Sequence, residues 1–249
     1  MRMRITIGFI LAAVAAIAPA RADRRSFVRS YEFQTQPEGN LEVELWNDID
    51  APKTGKGFAD SVITHKLVLE YGITDRWDAA LYHVFQQGGP AGADNTAFHF
   101  DSWRLESRYR LAERGEWPVD VMVYLETERP ADFAAPFELE EKIILEKDFG
   151  KLALVANLVA EQALARGDRG HHLWEVDLGV RYEVHPRLRL AAEVWAIQTV
   201  RPDVAVTTWY AGPSVSLQLR KLWLQVGAGI GLNDPALQLQ FRSVLGFNL

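Results

Sequence analysis

From residue 40 to its end the chain alternates polar and apolar side chains in about twelve segments, joined by connections that are alternately short and long. An extended strand sends successive side chains to opposite faces, so each such segment has one polar and one apolar side. A wall with lipid outside and water or packed polar groups inside demands this pattern. In hydrocarbon every backbone N–H and C=O needs a partner, so a sheet can cross only if it closes on itself. The expected fold is all-β: a transmembrane antiparallel up-and-down β-barrel of about 12 strands.

Residues 99–111 carry the pattern most plainly, with Trp103, Leu105, Tyr109 and Leu111 alternating with Arg104, Glu106, Arg108 and Arg110. A row of guanidinium groups along one strand face suits a polar lumen and serves no purpose in a soluble sandwich. Further strands are expected at 40–47, 61–71, 77–86, 119–128, 137–146, 152–163, 172–184, 188–197, 207–219, 222–232 and 237–249. Connections at 72–76, 112–118, 147–151, 185–187 and 220–221 form the shorter set. Short periplasmic turns, longer extracellular loops and two periplasmic termini go together when the strand number is even. Strands of soluble proteins average ~5–6 residues, about half the length of these, which weighs against a soluble barrel or sandwich.

Residues 1–22 have a basic start (Arg2, Arg4), an apolar run from Ile5 to Ile17 and a small-residue ending, Ala18-Pro19-Ala20-Arg21-Ala22. That is the pattern of a cleavable signal peptide. The mature chain is then expected to begin near Asp23 and to form one domain, 23–249. Its first part, 23–39, shows no spanning pattern and is expected either in the periplasm or in the lumen. There is no cysteine, so neither a disulfide framework nor a thiolate site is available. A formal net charge of −6 argues against a broadly basic surface for nucleic acid.

The inward parity gathers charges of both signs. Candidates for a solute path are Arg104, Arg108 and Arg110 on one strand, Glu138, Glu140 and Lys142 on another, and Glu175, Asp177 and Arg181 on a third. Two readings stand side by side: carboxylate–guanidinium pairs that pack a narrow lumen, or a ladder that guides a solute or ion. Lys66, Arg220 and Arg242 share the inward parity. Gly227, Gly229 and Gly231 on one strand, with Gly212, Ser214 and Ser216 on its neighbour, leave space for a solute or for the N-terminal segment. Trp46, Trp77, Phe137, Tyr182, Trp209, Tyr210 and Phe247 lie near strand ends, where aromatic girdles form. The parity of Trp46 and Trp195 also allows them to fill the lumen.

The stretches Tyr31-Glu32-Phe33-Gln34-Thr35-Gln36-Pro37-Glu38-Gly39-Asn40-Leu41-Glu42-Val43-Glu44 and Glu70-Tyr71-Gly72-Ile73-Thr74-Asp75-Arg76-Trp77 resemble a poorly characterised group of bacterial outer-membrane β-barrel proteins. Related families are described as outer-membrane transporters, including a type associated with the phenol meta-cleavage pathway. The resemblance implies a channel or transporter for a small hydrophobic or aromatic solute, and it brings no catalytic residues with it.

Local enzyme motifs are absent: the chain has no Gly-x-Ser-x-Gly, phosphate-binding Gly-x-x-x-x-Gly-Lys-Ser/Thr or His-Glu-x-x-His sequence. Adjacent His171 and His172 point to opposite strand faces and make a poor metal pair. His65 and His83, on neighbouring strands, are the best seed for a hydrolase site assembled from distant residues. The expected function is thus a non-enzymatic outer-membrane channel with no cofactor, whose partners are outer-membrane lipid, the barrel-assembly machinery and a small-molecule solute. The alternatives are a structural barrel with a plugged lumen and partner-binding loops, and an outer-membrane hydrolase.

Overall fold

The computed structural model describes residues 24–53, 55–89, 97–165 and 172–249, so the expected signal peptide and His171 lie outside the described residues. The described residues form twelve strands. The first six are β1 (Leu41–Ala51), β2 (Val62–Thr74), β3 (Trp77–Gly88), β4 (His99–Arg110), β5 (Asp120–Pro130) and β6 (Glu138–Phe149). The rest are β7 (Leu152–Ala163), β8 (His172–His185), β9 (Leu188–Arg201), β10 (Val204–Leu219), β11 (Leu222–Gly231) and β12 (Leu239–Asn248). Each strand pairs antiparallel with its sequence neighbours, and β12 returns to β1 with Glu42 opposite Asn248 and Ala51 opposite Leu239. Closure gives the ladder no open edge, as the alternation predicts.

Burial is inverted relative to a soluble protein. Leu45, Leu105, Leu125, Ile143, Val176 and Leu178 are exposed, while Glu42, Glu70, Glu106, Arg108, Glu146 and Glu175 are buried. Charged residues are almost never fully buried unless paired. The outward apolar band fits lipid, and the inward charges form a lumen held together by ion pairs.

Several expectations need correction. The expected loop at 199–204 is mostly strand: β9 and β10 stay paired as far as Arg201 opposite Val204, and Pro202-Asp203 alone turns the chain. β-branched Thr199, Val200, Val204 and Val206 favour extended backbone, and a Pro-Asp pair suits a tight turn. Arg220 does not face the lumen; it is exposed in the β10–β11 turn with φ of 58°. Tyr210 does not belong to the girdle. It is buried inside, where its ring stacks on Trp195 at 5.3 Å and its hydroxyl accepts the Leu237 N–H at 3.0 Å. Trp77, Phe137, Tyr182, Trp209 and Phe247 are exposed on the outside.

The described chain before β1 lies inside the barrel without regular structure and doubles back on itself, with Ser26 bonded to Glu32 and Gln34 to the Arg24 carbonyl. From Arg24 to Phe33 it is buried at every residue but Arg29, and Gln36 is fully covered.

Candidate functional site

The segment before β1 has no strand ladder, so its backbone donors must find partners in the wall. Inward carboxylates and one amide supply them. Glu193 on β9 accepts the N–H groups of Val28 (2.5 Å), Arg29 (3.0 Å) and Ser30 (2.9 Å), and also the Ser30 hydroxyl (3.0 Å). Asn157 on β7 accepts the Tyr31 N–H at 2.6 Å and donates to the Tyr31 carbonyl at 3.0 Å. Glu146 accepts the Phe33 N–H at 2.6 Å, and Asp78 the Gln36 N–H at 2.8 Å. Hydrogen bonds to charged acceptors contribute about 1.5–3 kcal/mol each. The Arg29 guanidinium forks onto both oxygens of Glu175.

Apolar side chains of the segment sit in sockets made by missing Cβ atoms. A Cβ on Gly179 would lie 2.6 Å from the Phe27 ring, and one on Gly227 would lie 2.3 Å from the Val28 Cγ2. Gly229 and Gly246 give the same room to the indoles of Trp195 and Trp223. The β11–β12 connection also folds inward, placing buried Ala236 against Trp195 and Tyr210. The space offered by the small residues of β10 and β11 is therefore occupied by the segment, by indole and by this connection.

The candidate path residues fall into three levels. Near the short turns, Arg110 donates to the Asp75 carbonyl, and Arg181 meets Glu32 (3.2 Å), Glu146 (3.1 Å) and Asp148 (3.2 Å). They line a cavity of about 570 Å³ together with Arg114, Glu183 and Arg189. Arg114, in the β4–β5 connection, is partly desolvated, which disfavours its charge. Glu146 at 2.9 Å and Asp148 at 2.8 Å more than offset this and raise its pKa. At the next level Arg108 is buried among Glu70, Asp78 (2.6 Å) and Glu106 (3.2 Å), so it touches neither cavity and acts as a wall brace.

Toward the long loops, Arg104 pairs with Glu126 (3.2 Å) and Glu128 (2.9 Å), and Lys142 with Glu140 (2.8 Å). Lys142 also lies 4.2 Å from the ring centre of Tyr31 and 4.3 Å from that of Tyr124, a cation–π arrangement. These residues border a crevice of about 50 Å³ that also includes Glu175 and Asp177. The crevice shares Arg104, Glu126 and Glu140 with a mouth of about 200 Å³ lined by Asp101, Glu128, Glu138 and Glu161. No residue lines both the crevice and the larger cavity at the short-turn end.

The hydrolase seed is not assembled. His65 faces outward; its Nδ1 lies 2.7 Å from the Asn47 amide oxygen and its Nε2 lies 3.2 Å from the Gln87 amide nitrogen. Gln87 therefore holds the place at Nε2 that an activated hydroxyl would need. His83 Nδ1 is buried without a hydrogen-bond partner among the described residues.

The sequence pattern did not reveal the anchoring role of Glu193, Asn157, Glu146 and Asp78. Their only signal was inward parity, which they share with many residues that do not touch the segment.

No family model matches the chain, and no curated protein matches it in sequence. Solved structures do. An outer membrane channel from Pseudomonas putida F1 aligns with a TM-score of 0.64 at 13% identity, covering 90% of this chain and 100% of that one. NanC porin aligns at 0.59 and 11% identity, covering 84% of this chain and 100% of that one. KdgM porin gives 0.57 and 7% identity over 83% of this chain and 98% of that one. At these identities the likeness establishes the barrel fold.

Proposed function

We propose that the protein is an outer-membrane channel for a small solute, held closed by its own N-terminal segment. The observation that carries this reading is the way the lumen is filled. The β-barrel wall is complete on its own, and the segment inside it is attached by side-chain hydrogen bonds and sockets rather than by strand pairing. Cavities remain at both ends of the lumen. The solved barrels named as channel and porins share the barrel fold, which supports the channel part of the reading. The hydrophobic or aromatic solute implied by the resemblance would meet mostly charged lining, so the lumen favours a polar one. The β-barrel form and apolar belt suit the bacterial outer membrane, with the N-terminal segment reaching the lumen from the periplasmic end.

Conductance of the refolded full-length chain in planar bilayers tests the proposal, with gel mobility in dodecyl sulfate as the folding control. The unmodified protein is expected to be closed for most of the record. Glu193→Ala, which removes the acceptor of three consecutive backbone N–H groups, is expected to give steady steps. A folded Glu193→Ala barrel that stays silent would favour a structural barrel with a permanent plug.

A further inference from the structure

The lumen is filled unevenly. The β9–β12 side is filled by Val28, Trp195, Tyr210 and the inward-folded Ala236. The mouth and the short-turn cavity lie mainly along β4–β8, joined in line by a crevice that also reaches Trp46, Lys66, Tyr82 and Arg242, and the line is interrupted where Tyr31 and Phe33 pack on Met122, Tyr124 and Ile144. The Tyr31 and Tyr124 rings meet edge to face at 5.1 Å. Tyr31 lines the crevice on the long-loop side, and Phe33 lines the cavity on the short-turn side. These two side chains separate the two spaces together with buried Arg25, whose guanidinium lies 4.5 Å from the Tyr31 ring, and the Arg108 network.

Negative charge is concentrated at the long-loop mouth. Each cation bordering the crevice already has a carboxylate partner: Arg29 with Glu175, Lys66 and Arg242 with Asp48, Arg104 with Glu126 and Glu128, and Lys142 with Glu140. The crevice has four carboxylates to these five cations, and the mouth reverses the balance with six carboxylates around Arg104 alone. Glu138 and Glu161 in the mouth make no ion pair among the described residues. Deeper in, Asp177 is 2% exposed, and its Oδ1 has no hydrogen-bond partner among the described residues. The Asp177 carboxyl lies within hydrogen-bond reach of the Glu175 carboxyl, and two buried carboxyls side by side must share a proton or take up a cation.

We infer that the channel carries a small cation along an off-axis path beside β4–β8, drawn in by Glu138, Glu161 and Asp177 and gated by the Tyr31–Phe33 pair. This rests on the channel reading, and it specifies that channel's solute class and gate. A cation entering from the long-loop mouth meets six carboxylates around Arg104 and then the Glu175 and Asp177 carboxyls in the crevice. It passes on when the two rings leave the Met122–Ile144 surface.

The test uses the full chain in planar bilayers under a potassium chloride gradient. Tyr31→Ala/Phe33→Ala is the main variant. Phe33→Ala alone, which leaves every wall ladder and the Asn157–Tyr31 backbone bonds in place, is the second. Both are expected to conduct with a reversal potential of cation-selective sign, and the permeability ratio of potassium to chloride should exceed about threefold. Adding Glu138→Gln/Glu161→Gln should lower that ratio at least twofold. Silence of both ring variants alongside a conducting Glu193→Ala barrel would overturn the gate. Anion selectivity, or a ratio unmoved by Glu138→Gln/Glu161→Gln, would overturn the cation path. Silence of all three barrels would remove the channel reading itself.

Discussion

The two sides of this lumen are built on opposite principles. On the β9–β12 side, inward glycines make sockets, and Trp195, Trp223 and Val28 fill them to contact distance. On the β4–β8 side, around the apolar patch of Met122, Tyr124 and Ile144, many inward residues are long and charged, and they pair across gaps that leave cavities. Close packing resists rearrangement, because a displaced ring has no second place to sit. Paired charges beside water can exchange partners at small cost. On the proposed reading, one side of the barrel is the fixed support and the other is where a path opens.

Substitutions on each side should separate these roles. The largest effect is expected from Arg108→Ala. It is the exception on the charged side, buried at 1% exposure and contacting Glu70, Asp78 and Glu106. Removing one partner of a buried ion network costs about 3–5 kcal/mol. The thermal midpoint of the gel-mobility transition should fall clearly, and an unchanged midpoint would show that the network is solvated.

Gly229→Leu should come next. Its Cβ would lie 1.9 Å from the Trp195 ring, so the indole must move or the strand must bend. Overpacking of this kind costs about 1–3 kcal/mol. On the fixed side this should lower stability without producing conductance, and steady steps would contradict the assignment of that side as a support. Gly179→Leu addresses the segment itself, since it evicts the Phe27 ring from its socket. The expected readout is faster proteolysis of residues 24–36 in the folded barrel, with the wall intact. The smallest effect on stability is expected from Arg104→Gln. This guanidinium is about a quarter exposed, so losing its pairs with Glu126 and Glu128 should cost less than losing those of fully buried Arg108. A thermal midpoint close to that of the unmodified barrel is expected, together with a changed ion selectivity in a conducting background.

The barrel was readable in the sequence because strand parity is a local rule. Trp103, Arg104, Leu105 and Glu106 reveal their faces from order alone, and closure then follows from the need to pair every backbone group. The plug was not readable to the same degree. Its anchors sit far along the chain, with Val28 held by Glu193 at a separation of 165 residues, and no periodicity links the two. Gly227 and Gly229 could be read as open space or as sockets, and only the residues facing them decide which. Tyr210 shows a second limit. Nearness to a strand end placed it in the girdle, whereas its parity and its bond to Leu237 place it inside. Of the candidate path residues, Arg104, Glu138, Glu140, Lys142, Glu175 and Asp177 come together on the long-loop side. Arg110 and Arg181 line the other cavity, and Arg108 lines neither.

The central claim is that the N-terminal segment occupies the lumen, and a cross-link tests it most directly. The chain has no cysteine, so an introduced pair has no competitor. Val28→Cys with Gly227→Cys suits a disulfide, because a Cβ on Gly227 would lie only 2.3 Å from the Val28 Cγ2 and the two Cβ atoms would be within bridging distance. The account predicts that this pair oxidises nearly completely in the outer membrane of intact cells. It also predicts that, with Phe33→Ala added, the oxidised barrel keeps the segment through protease treatment that removes it from the reduced one. Two free thiols in a folded barrel, both open to a membrane-impermeant maleimide, would show that the segment lies outside the lumen and would contradict the account.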